Sequence, residues 1–199
     1  MRHLLLQAQA WWDAQRFDQP TWHVAEWRDQ KVRHIQLHVA KALGKVVAAY
    51  GADGASPLGA GARAASGKNP MARVRDEVLP DVAIYRSQLI NTFGATAPTA
   101  ALGHHSAHAG APAIEPLLHV IMLLSRASAQ LAAYIEPREH GEASPTSHIR
   151  EAIQNLHASA EALAAYFTVD LVRAHQSRLE ALLAAPLPAS VVVGDEAGR

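Results

Sequence analysis

Apolar residues recur at steps of three and four along two long stretches of this chain, a period that fits one face of an α-helix and no strand. In residues 30–50 the stripe is Val32, Ile35, Val39, Leu43, Val46 and Tyr50; in residues 72–93 it is Val74, Val78, Val82, Tyr85, Leu89 and Phe93. Gly51 and Gly94 stand where the two helices should end. Pro80 falls inside the second stripe, so a kink or a helix restart is expected there. Further helices are expected over 2–16, 114–135, 147–166 and 169–184. Alanine is abundant and β-branched runs are scarce. The one strand candidate is Val191–Val193, beside a tail ending GDEAGR that reads as frayed. The expected class is all-α, a helical bundle.

The breaks between helices divide the chain. Residues 1–29 hold an N-terminal helix and a Trp-rich segment, 30–94 a first helical hairpin, 95–113 a Pro/Ala/Gly/His linker, 114–185 a second hairpin and 186–199 a tail. Within the first hairpin, GADGASPLGAGARAASGKN (51–69) is a flexible loop by composition. The two hairpins align with each other. LGKVVAAY, ending at Tyr50, lies over ASAQLAAY, ending at Tyr134, and DEVLPDVAIYRSQLINTF, ending at Phe93, over REAIQNLHASAEALAAYF, ending at Phe167. Glu77 then meets Glu151, Asp81 meets Asn155 and Leu89 meets Leu163. Two such repeats imply a four-helix bundle with flanking helices.

Lys+Arg and Asp+Glu balance at 18 each, so no global field points to nucleic acid or an anionic membrane. The chain has no cysteine, which excludes disulfides, thiolate metal sites and cysteine nucleophiles and fits a cytoplasmic setting. The apolar run near the N-terminus is short for a signal peptide, and no stretch approaches the ~20 apolar residues of a membrane span.

At KALGK (Lys41–Lys45) and EVLPDVAIY (Glu77–Tyr85) the chain resembles the MazG-like, all-α nucleoside triphosphate pyrophosphohydrolase superfamily. The resemblance covers residues 26–94, with a weaker echo in 114–184. That family carries a motif like E-E-x-G-E on its first helix and E-x-x-D before an apolar, often aromatic, stretch on its second. In the second hairpin FTVDL (Phe167–Leu171) follows its helix much as a turn like G-I-D-L does in the family. The resemblance implies Mg²⁺ held by carboxylates, which neutralises a triphosphate and helps generate a nucleophilic water. Glu77 and Asp81 are the implied catalytic and metal-binding acids. Lys41, Lys45, His38 and Tyr85 are the candidate nucleotide-binding residues of this chain itself.

The chain departs from this pattern where the chemistry lies. Gly44 and Asp81 are kept, but Lys41 and Lys45 replace two glutamates. Val78 occupies the expected acid position and leaves Glu77 one turn from Asp81. In the second hairpin Asn155 replaces the aspartate, and Ser125 and Ala129 are not acids. A protonated lysine cannot ligate Mg²⁺. If the two helices run antiparallel, Lys41 and Lys45 face Asp81 and Glu77, and salt bridges are expected in place of an ion. The lysines are alternatively direct phosphate contacts.

The remaining features carry less. His34, His38, Lys41 and Lys45 form a basic stripe at helical spacing, read as a solvated face or as an i, i+4 histidine pair for a transition metal. His104, His105 and His108 read as part of a polar linker, and GARAASGK (Gly61–Lys68) fails as a phosphate loop in spacing and context. Trp11, Trp12, Trp22 and Trp27 suit a core cap, a homodimer surface or a base-stacking platform. Three functions remain open: a non-catalytic nucleotide- or partner-binding protein needing no cofactor, an active Mg²⁺-dependent pyrophosphohydrolase with a rearranged site using Glu77, Asp81 and His38, and a structural helical interaction module.

Overall fold

A computed structural model of the chain describes residues 7, 10, 24–52, 69–94 and 114–184. The described part is an all-α bundle without a strand. Helix α1 spans Val24–Tyr50. It begins earlier than expected, so the boundary drawn at residue 30 falls inside it; no proline or glycine interrupts 24–43, and nothing there breaks the helix. Of the expected 2–16 helix, residues 7 and 10 are described, both helical; Trp11, Trp12, Trp22, the 95–113 linker with its three histidines, Gly61–Lys68 and Val191–Val193 lie outside the described residues.

The next rod has three parts: α2 (Pro70–Arg73), a π-helical turn (Val74–Val78) and α3 (Leu79–Phe93). Asn69 caps its start, accepting from the Met71 backbone N–H at 2.9 Å, and Pro70 occupies the first turn, where its missing N–H costs nothing. The π turn is the structure's answer to Pro80. In an ordinary helix Pro80 would leave the Asp76 carbonyl without its donor. Here the ladder widens just before the proline, and the Leu79 N–H reaches back five residues to the Val74 carbonyl.

Helices α4 (Ile114–Glu139), α5 (Ser147–Phe167) and α6 (Leu171–Ala184) complete the described chain. Helix α4 packs along both α1 and α5, and α3 packs on α5 and α6. Ion pairs from Arg138 to Asp29 and from Arg33 to Glu139 tie the end of α4 to the start of α1, so these helices run antiparallel. One apolar cluster, including Ile35, Leu79, Leu89, Leu124, Leu131 and Leu163, runs through the bundle. Contrary to expectation, the segment Pro116–Glu139 is long and apolar enough to cross a membrane by length and composition. Its Leu117, Val120, Leu124 and Leu131 are core residues of the bundle.

Burial recurs between the hairpins. Val78, Leu79, Val82, Tyr85, Leu89 and Ile90 of the first match Ala152, Ile153, Leu156, Ser159, Leu163 and Ala164 of the second, all buried. The helices also end alike: Gly94 has φ 62° and the corresponding Thr168 has φ 54°. Thr168 is the one described non-glycine residue with positive φ, a left-handed conformation for which glycine is the usual occupant. Asp170 then starts α6 by accepting from the N–H groups of Val172 and Arg173 at 2.9 and 3.1 Å.

For α1 and α4 burial moves the alignment by one residue. Val32, Ile35, Val39, Ala42, Val46 and Ala49 find their buried counterparts in Leu117, Val120, Leu124, Ala127, Leu131 and Tyr134. Tyr134 therefore matches Ala49 rather than Tyr50, and Lys41 and Lys45 match Arg126 and Gln130 rather than Ser125 and Ala129. Matching AAY strings obscured this slip, because an alanine-rich helix offers few distinctive letters.

Candidate functional site

An open cleft of about 520 Å³ lies between α1 and the π-turn rod, within the usual range of about 300–1,000 Å³ for small-molecule sites. His38, Lys41, Gly44 and Lys45 line it from α1, Arg73 and Val78 from the start of the rod, and Asp81 and Tyr85 from α3. Helical period explains the set. His38, Lys41 and Lys45 follow at steps of three and four, beside the buried stripe that holds α1 in the core.

Both carboxylates are engaged by cations. Lys45 Nζ donates to Glu77 Oε2 at 2.8 Å, and Arg73 Nε lies 3.7 Å from the same oxygen. Arg178 Nε of α6 donates to Asp81 Oδ1 at 2.8 Å. The expected Lys45–Glu77 bridge is thus present. The expected Lys41–Asp81 bridge is not, because α6 packs on α3 and brings Arg178 to Asp81. Lys41 is exposed and is in no ion pair among the described residues. Around the cavity Lys41, Lys45, Arg73 and Arg178 oppose Glu77 and Asp81, so the described residues leave an excess of positive charge. Arg73 and Arg178 were missed in the sequence. Arg73 was detectable as an i, i+4 partner of Glu77; Arg178, 97 residues from Asp81, has no local signature.

The imidazoles and Tyr85 form a smaller network. Tyr85 Oη lies 3.0 Å from His38 Nδ1, and the His34 and His38 rings sit 4.4 Å apart between centroids. Burial, then the charge of Lys41, holds the His38 pKa below the ordinary histidine value; Asp81 opposes and Lys45 adds to the lowering. Burial and His38 do the same to His34. Burial and Asp81 raise the Tyr85 pKa, so its hydroxyl stays protonated. At the start of α1, Lys31 lies 4.7 Å from the centre of the Trp27 ring, which packs the one described tryptophan as a cation–π partner.

These groups do not fit a magnesium ion. Mg²⁺ requires an oxygen-rich octahedral shell. Asp81 is the acid that lines this cavity and is bonded to Arg178, Glu77 is bonded to the lining Lys45, and no group of three or more His, Asp or Glu among the described residues is placed to hold a metal. The arrangement suits an anion instead: lysine and arginine donors beside a half-buried imidazole, in a concave site of ligand size.

Comparison with protein families, with curated proteins and with solved structures finds no match to this chain.

Proposed function

We propose that this chain is a degenerate MazG-like protein that binds the phosphates of a nucleotide without a metal ion and does not hydrolyse them. The observation that carries the reading is the surplus of positive charge at the cavity beside the Lys45–Glu77 and Arg178–Asp81 bridges. Cationic side chains there stand where the family resemblance implies metal charge, and Lys41 adds a further positive group on the same wall. The recurrence of buried positions between hairpins, and the left-handed Thr168 where the family's turn has glycine, support the resemblance independently of the acids. Lys41, Lys45 and Arg73 are the phosphate contacts on this reading, with His38 and Tyr85 as neighbouring hydrogen-bond groups.

The test is a thermal-shift screen with nucleoside mono-, di- and triphosphates, each with EDTA, Mg²⁺ or Mn²⁺. A ligand at 100-fold its Kd stabilises by about 2.7 kcal/mol. Stabilisation that survives EDTA is expected. A shift that requires the metal would overturn the reading and restore the hydrolase alternative.

A second reading has its own observation. Leu37 (62% exposed) and Val47 on α1, with Leu118 and Met122 on the adjacent α4, leave apolar side chains in solvent. A protein-binding module, or a homodimer, would use them. Loss of self-association or partner binding in a Leu37→Glu/Met122→Glu variant, with nucleotide binding absent throughout, would favour that reading.

A further inference from the structure

The contact between Tyr85 and His38 bears on how the cavity would hold its ligand, and the inference rests on the phosphate-binding reading above. Tyr85 is buried, and its Oη, 3.0 Å from His38 Nδ1, has no other hydrogen-bond partner among the described residues. The contact fits either tautomer; with Nδ1 as the one acceptor for the phenol O–H among the described residues, we assign donation to Nδ1, which puts the proton of the neutral imidazole on Nε2. The hydroxyl also tolerates the other state. A carboxylate partner would favour the charged ring, and a carbonyl would require a proton on Nδ1. A hydroxyl both donates and accepts, so the contact survives when Nδ1 gains a proton and the Tyr85 O–H turns away.

The charged groups around the ring set the direction of the response. Lys41 and Lys45 flank His38 on its own helix, with His34 one turn earlier. Asp81 faces it from α3 but is bonded to Arg178 of α6, and Arg73 lines the same cavity from α2. In the absence of an anion these cations oppose a charge on the ring. An anion seated between Lys41 and Lys45 would reverse that balance, because opposite charge within ~4–6 Å favours the protonated form.

We propose that the cavity binds a phosphoryl anion together with one proton from solvent, that His38 carries this proton, and that Tyr85 is the residue positioning the ring to do so. The proton adds to Nδ1 and both ring nitrogens become donors; no covalent bond to the ligand forms or breaks. Affinity for the anion then rises as pH falls toward the pKa of free His38, with a limiting slope of about tenfold per unit for one linked proton.

Long-range ¹H–¹⁵N correlation NMR of the full-length, ¹⁵N-labelled protein tests this directly, since it reads the tautomer and titration of each imidazole. The probe is inorganic tripolyphosphate in EDTA, with the His38 signals assigned by their loss in His38→Gln. The free protein should carry the His38 proton on Nε2, and saturation with tripolyphosphate should raise the His38 pKa by about one unit or more. In Tyr85→Phe the Nδ1–H tautomer should become populated and affinity should fall a few-fold. Saturable binding that leaves the His38 titration unmoved would overturn the proton linkage while sparing the phosphate-binding reading. An unchanged tautomer and affinity in Tyr85→Phe would remove Tyr85 from the proposal. No saturable change anywhere in the spectrum would overturn both the inference and the reading beneath it.

Discussion

Acid should destabilise this bundle through one buried histidine on α6. His175 is 7% exposed, and its Nε2 finds no hydrogen-bond partner among the described residues. Burial first, and the charge of Arg86 second, push its pKa from 6.5 to about 4. A depression of that size corresponds to about 3 kcal/mol, at about 1.4 kcal/mol per unit. The folded-state pKa is the lower one, so the unfolded chain takes up the proton first. The stability contribution is therefore complete above pH 6.5 and is lost as pH falls through about 4. The assay is urea unfolding of the wild type and of His175→Leu across this range. Groups common to both proteins cancel in the difference. The wild type should lose about 3 kcal/mol relative to the variant, on the order of 10 °C in Tm for a chain of this size. A difference that stays constant over the same range would refute the reasoning, because it would mean that the imidazole meets water or a partner when charged.

Other substitutions test separate links. Glu77→Gln frees Lys45 from its 2.8 Å bridge and should tighten metal-free polyphosphate binding about five-fold by calorimetry, whereas a metal-ligand role predicts loss. Thr168→Gly relieves a left-handed β-branched residue and should stabilise by about 1 kcal/mol; Gly94→Ala, at the matching helix end, should cost about the same, both read by chemical denaturation. Leu131→Ala removes a fully buried core side chain of α4 and should cost about 2–5 kcal/mol in the same assay.

What the sequence disclosed follows the range of the interactions involved. The stripes through Val32–Val46 and Val74–Leu89 were readable because helical burial repeats every few residues, and those stripes are core except at Leu43, which is partly buried while Ala42 takes the core position. Lys45 and Glu77 were readable as a pair because both belong to one hairpin, with the antiparallel course taken from the resemblance. Asp81 was assigned the wrong partner because its actual one, Arg178, belongs to a helix whose docking no local pattern announces. The π turn was half readable. Pro80 demanded an interruption, but whether a helix kinks, restarts or widens depends on which carbonyl can find a donor, and that is settled by packing.

The corrected register sharpens the contrast between the hairpins. Lys45 and its counterpart Gln130 occupy one structural slot, and each makes a polar bond across its own hairpin: Lys45 to Glu77, and Gln130 to His148 at 2.8 Å between Oε1 and Nδ1. A cross-helix tie at that slot is thus common to both halves, and it does not by itself argue for ligand binding. What the first hairpin has in addition is a cavity with three cations on its wall, Lys41, Lys45 and Arg73. The second hairpin keeps a cation at the Lys41 slot, Arg126, but has an uncharged glutamine at the Lys45 slot and Asn155 and Ser159 in place of Asp81 and Tyr85. An ancestral tie would be retained in either half for stability alone, at about 0–1 kcal/mol when part-exposed. Stability alone does not call for Lys41, a cation in no ion pair among the described residues on the same wall. That surplus charge, rather than the bridge, is the feature that places the proposed anion in the first hairpin.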